Sequence, residues 1–144
     1  MRIYTSYFGN KKKLEEFGLM PVSICLYPPR WFNGIRIKSV APTSSILFAK
    51  NQTTERYVER FKDEVLSRVD PRQFFENLKS ICGGKDVALC CFEKPNEFCH
   101  RHIVAGWLNN SLGLSVCEFD PNAEKNKDKV VSVQYDLFGN AEEV

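Results

Sequence analysis

The stretch Asp86 to Phe92 constrains this chain more than any other: Asp-Val-Ala-Leu-Cys-Cys-Phe is a near-continuous apolar run of strand length. Gly83-Gly84-Lys85 precedes it and Glu93-Lys94-Pro95 follows. A strand with one wet face alternates apolar and polar residues. A run without alternation is what a strand covered on both faces needs, and such strands belong to parallel sheets clothed in helices.

The flanking segments supply the other layers. Arg2 to Tyr7 reads as a first strand and Pro21 to Tyr27 as a second, with a short charged helix around Lys11 to Phe17 between them. Pro28 to Gly34 breaks regular structure. Pro42-Thr43-Ser44 starts a short helix. A long amphipathic helix follows from about Thr54 to Arg68, with Tyr57, Val58, Phe61, Val65 and Leu66 at helical spacing. Pro71 opens another helix, burying Phe74, Phe75 and Leu78, and Gly83-Gly84 ends it. After the central strand, a helix from about Phe98 to Ser111 has Ile103, Val104, Trp107 and Leu108 as its core face. Gly113 closes it, and Leu114 to Phe119 reads as a last strand. The alternation predicts an α/β fold: a mostly parallel sheet with helices on both faces. Residues 1–120 form that domain, and 121–144 a charged linker and tail.

Composition agrees with one domain. A chain of 144 residues, 43% hydrophobic, can bury a core without disulfides. A net charge of +2 neither demands nor excludes a nucleic-acid partner. No 18-residue apolar run is present, so no membrane span is expected, and the N-terminus lacks the pattern of a signal peptide. The expected location is the cytoplasm. Of six cysteines, Cys25, Cys82, Cys90 and Cys117 read as small buried hydrophobes. Cys91 and Cys99 differ by position.

Ligands of parallel α/β sheets bind beyond the carboxyl ends of the strands, and Cys91 to Arg101 occupies that place. Cys91 and Glu93 project from one face of an extended chain. Cys99 and His100 lie one turn before Ile103 and Val104, which aims them at the crevice. Arg101 stands in the same first turn, where free N–H groups and the helix dipole favour anions; His102 falls on the outer, solvated side. A thiol at a helix start beside His and Arg has a lowered pKa and suits nucleophilic chemistry. Two other readings stay open. Glu93 can cap the helix and pair with Arg101, which is purely structural. Cys91, Cys99, His100 and Glu93 can nominally supply four zinc ligands, although no Cys-x-x-Cys pair is present; adjacent Cys90 and Cys91 point to opposite faces, so at most one is a ligand.

The run Leu89-Cys90-Cys91-Phe92-Glu93-Lys94, followed by Cys99-His100-Arg101, resembles the signature of the domain-of-unknown-function 488 family. The resemblance extends to Tyr4-Thr5-Ser6, Pro29-Arg30-Trp31-Phe32, Ala41-Pro42, Tyr57 and Phe61, over roughly residues 2 to 118. It implies a Rossmann-like fold and an enzymatic or nucleotide-binding role. Many members carry an Asp–Arg pair at the end of the second strand, where this chain has Ile24-Cys25-Leu26-Tyr27; Arg30 is the substitute available. With Arg101, then, Arg30, Thr5 and Ser6 are the candidate anion-binding residues.

Gln134-Tyr135-Asp136-Leu137-Phe138 resembles the peptide by which bacterial DNA-processing proteins dock on the replicative sliding clamp. Gln134, Asp136, Leu137 and Phe138 would make that contact. The same residues alternate with Val131 and Val133 as a half-buried strand would. The function expected is an enzyme of nucleotide or nucleic-acid metabolism, with DNA bases a candidate substrate. Cys91 or Cys99 with His100 does covalent or acid–base chemistry, Glu93 is the general base or orienting carboxylate, and Arg101 holds a phosphate. The alternative is a non-catalytic nucleotide-binding or clamp-occupying protein. No cofactor is expected, zinc being the one alternative.

Overall fold

The computed structural model describes residues 1–123. The readings of 131–138 as strand or docking peptide fall outside them. Five strands, β1 (Ile3–Tyr7), β2 (Met20–Ser23), β3 (Ile35–Arg36), β4 (Val87–Cys91) and β5 (Cys117–Glu118), form one sheet in the order β3-β2-β4-β1-β5. Every pairing is parallel. Helices α1 (Lys11–Glu16), α2 (Ser44–Leu47), α3 (Thr54–Glu64), α4 (Pro71–Ile81) and α5 (His100–Leu112) surround it. This is the α/β, Rossmann-like architecture expected.

The apolar run becomes the middle strand, β4, and all five of its residues are buried. Helix starts are set by side-chain oxygens accepting orphan backbone N–H groups: Thr43 from Ile46, Thr53 from Arg56, and Asp70 from Arg72 ahead of Pro71. Helix α5 ends at Gly113, whose φ of 66° few residues other than glycine adopt. Phe74 of α4 meets Trp107 of α5 edge to face at 5.8 Å.

Several details differ from the expectation: α3 ends at Glu64 and the last strand shrinks to Cys117–Glu118. Strand β2 stops at Ser23 instead of running to Tyr27, because the Ser23 hydroxyl accepts the Cys25 N–H at 3.2 Å and turns the chain off the sheet. Strand β3 follows directly after the irregular Pro28 to Gly34 stretch, where no strand was expected; two residues are too few to show a period. Cys117 is exposed rather than buried, since it sits on the two-residue edge strand β5.

Candidate functional site

The site is built where β2 and β4 end. Cys91 is the last residue of β4 and is fully buried. The chain then turns, with Glu97 N–H bonded to the Lys94 carbonyl at 3.0 Å and Lys94 N–H to the Glu97 carboxylate at 3.2 Å. It returns extended through Cys99 (φ −155°, ψ 144°), the residue that caps α5, so His100 opens the helix. Cys99 and His100 are 3% and 6% exposed.

His100 is held on two sides. Its Nε2 lies 2.7 Å from the Ile24 carbonyl oxygen, which can only accept, so Nε2 carries the proton and donates it. Phe61 of α3 packs its ring 5.6 Å from the imidazole. The acceptor nitrogen Nδ1 lies 3.8 Å from Cys99 Sγ, and Cys91 Sγ sits beside the ring, 3.5 Å from Nε2 and 3.8 Å from Nδ1. The two thiols are shifted in opposite directions. Burial first, then contact with Cys25 and Cys99, pushes the Cys91 thiol well up. Cys99 moves down: hydrogen bonding from Cys91 is the main cause, against the cost of burial, helped by His100 and the Arg101 backbone N–H.

Above the cluster lies a cavity of about 140 Å³. Cys25, Cys99 and His100 contribute to it, with Tyr27, Tyr57, Phe92 and Phe98 as aromatic walls and Glu93 among its lining groups. Tyr57 meets Phe98 edge to face at 5.1 Å. Burial, then the neighbouring Cys99, raises the Glu93 carboxyl above its ordinary pKa. Burial, then Cys99 and Cys91, raises the Tyr57 phenol. Tyr27, Phe92 and Phe98 of this wall are also open to solvent, as is the neighbouring Phe48.

Cys91, Glu93, Cys99 and His100 are therefore brought together, and the candidate anion binders are not. Arg101 is wholly buried and turned away, making a two-point ion pair with Glu118 of β5 at 3.1 and 3.0 Å. Thr5 donates its hydroxyl to the same carboxylate at 2.6 Å. Ser6 is buried in β1 and accepts from the Asn10 amide, and Arg30 is exposed and absent from the cavity wall. The structural alternative pairing Glu93 with Arg101 is not formed either, since Arg101 belongs to Glu118. His102 is not simply solvated: Nδ1 lies 4.0 Å from Glu118, and Nε2 is buried without a partner.

Three contributors escaped the sequence reading. Cys25 was assigned to packing; its place in the wall depends on where β2 leaves the sheet. Tyr57 was legible as a core position of α3, but not as a cavity wall. The Ile24 carbonyl has no sequence signature. As a metal-binding set, Cys91, Cys99 and His100 each offer one ligand atom, all within 4.8 Å of one another. Cys90 takes no part: its sulfur contacts the Ala88 carbonyl at 3.4 Å, and burial pushes its thiol up to about 12.

No helix among the described residues is long and apolar enough to cross a membrane. No curated protein and no solved structure matches the chain. The sequence model described as the Active DUF488-N3 subclade, DUF488-N3a, matches residues 10–112, from the start of α1 to the end of α5, and the chain belongs to that family.

Proposed function

We propose that this protein is an enzyme acting on the heterocyclic base of a nucleotide or an unpaired nucleic-acid strand. One observation carries the reading. An aromatic-walled cavity about the size of one flat ring system ends on a buried thiol–imidazole pair and has a carboxylate in its wall. Stacking on aromatic side chains is how proteins hold bases without reading their sequence, at about 1–3 kcal/mol per base. Glu93, with its raised pKa, suits proton transfer, and the fixed His100 tautomer presents an acceptor nitrogen to Cys99. Phosphate recognition is not assigned to Arg101, whose charge is spent on Glu118.

The test is binding and turnover with bases, nucleosides, nucleotides and short single strands. At least one class should bind, Tyr57→Ala should weaken binding by about 1–3 kcal/mol, and Glu93→Gln should abolish turnover with thermal unfolding unchanged. Failure of every class to bind would leave the cavity without this role. Recruitment to DNA replication through Gln134, Asp136, Leu137 and Phe138 belongs to the proposal on sequence grounds. The double variant Leu137→Ala/Phe138→Ala should lose affinity for a bacterial sliding clamp; equal binding by both proteins removes the clamp from the account.

A further inference from the structure

The Cys91, Cys99 and His100 side chains are arranged for more than packing. Nδ1 of His100 is 3.8 Å from each sulfur, and the three donor atoms lie within 4.8 Å of one another. In a tetrahedral zinc site, Zn–S bonds near 2.3 Å and Zn–N bonds near 2.0 Å place N and S about 3.6 Å apart and two sulfurs about 3.8 Å apart. Cys99 is already near that spacing, whereas Cys91 Sγ lies 3.5 Å from Nε2 and 3.8 Å from Nδ1, so its side chain must swing toward the Nδ1 side to complete the triangle. Metal-ligating histidines characteristically donate the other ring N–H to a carbonyl or carboxylate, and His100 Nε2 does so to Ile24 at 2.7 Å. The donors are soft and borderline, two sulfurs and an imidazole, which favours zinc over magnesium or calcium.

We infer that Cys91, Cys99 and His100 bind one zinc ion whose fourth position opens into the aromatic cavity. Cys99 and His100 line that cavity, so a ligand in the fourth position faces its contents. Glu93 lines it too but stands outside the group of mutually close donors, which makes it the base beside the metal and not a ligand. Two cysteines, one histidine and a non-ligating glutamate is the chemical set that zinc-dependent nucleobase deaminases employ. Resting on the base-processing reading, the step is hydrolytic. The oxygen of a zinc-bound water bonds to a ring carbon while Glu93 takes the water's proton. The C–N bond breaks as Glu93 passes that proton to the departing nitrogen, and water is the sole co-reactant.

The site is tested on the full chain, reduced, stripped of metal and titrated with zinc alone against a chromogenic chelator. One ion per chain is expected. Cobalt in its place should give the intense visible bands of tetrahedral thiolate coordination. Cys91→Ser and Cys99→Ser should each lower affinity roughly a hundredfold or more, at or above what loss of a supporting hydrogen bond costs; Cys25→Ser should leave it within a few-fold. Because a variant can fail to fold, the wild type supplies a second readout. Zinc should protect Cys99 from alkylation, leaving exposed Cys117 as reactive as before. Absent stoichiometric binding, affinity indifferent to both serine variants, or Cys99 alkylated equally fast with zinc present overturns the site. A loss with Cys25→Ser matching that of Cys91→Ser makes it a closed four-ligand centre and overturns the open position. Zinc binding without base binding would refute the proposed function alone, and base binding without zinc the metal site alone.

Discussion

Helix α5 begins with four polar or thiol side chains that belong to two different environments. Cys99 and His100 face the cavity beyond β4, while Arg101 and His102 face β5. On the β5 side the carboxylate is well matched, Arg101 giving two hydrogen bonds to Glu118 and Thr5 a third, although Arg101 Nη1 and His102 Nε2 stay buried without partners. On the cavity side His100 Nε2 is anchored to the Ile24 carbonyl at 2.7 Å, but the thiol contacts are long and soft, with sulfur 3.5 to 3.8 Å from imidazole nitrogen. A buried charge that has its partners is committed to the fold, because any other use must first break them. A group whose partners are weak and which borders empty space keeps its chemistry available.

The sharpest way to break the comparison is Arg101→Ala. It leaves the Glu118 carboxylate against a vacated site and should cost about 3–5 kcal/mol in urea unfolding; a loss under about 1 kcal/mol would mean the pair is not structural. Replacing both members, as Arg101→Met with Glu118→Leu, should recover much of that loss, since well-packed apolar pairs often match buried ion pairs in stability. Thr5→Val removes one donor to the same carboxylate and should cost about 1 kcal/mol. Smallest on this scale is Cys99→Ala, at about 1 kcal/mol or less, though it should abolish turnover and zinc binding. If Cys99→Ala unfolds the chain as badly as Arg101→Ala, both sides of the helix start are structural and the distinction falls.

What could be read in advance follows physical lines. The β4 run announces itself because burial on both faces removes the polar alternation, and α3 and α4 because capping oxygens and apolar spacing are local. The Cys-x-Glu and Cys-His segments are likewise local, and their convergence follows from one strand, one turn and one helix start. Arg101 was misread because its partner is 17 residues away on another strand. The free N–H groups that suggested a phosphate are real, but the guanidinium that was to join them is turned to Glu118. Cys117 looked buried from its apolar neighbours, while its strand is too short and too peripheral to cover it.

The strand order carries a consequence for how the molecule comes into being. β1 and β2 never touch as ladder partners; β4 stands between them, pairing Ile3 with Val87 and Met20 with the same residue from the other side. These contacts span more than sixty residues of chain, the kind of non-local closure that slows folding. While the ribosome has made only the first 86 residues, β2 and β3 can pair, but β1 and β2 lack their shared partner and the full sheet cannot close. Cys91 is the final residue of the strand that ends this waiting. The reactive cluster is thus assembled at the same moment as the fold, and a truncated chain lacking β4 should carry neither.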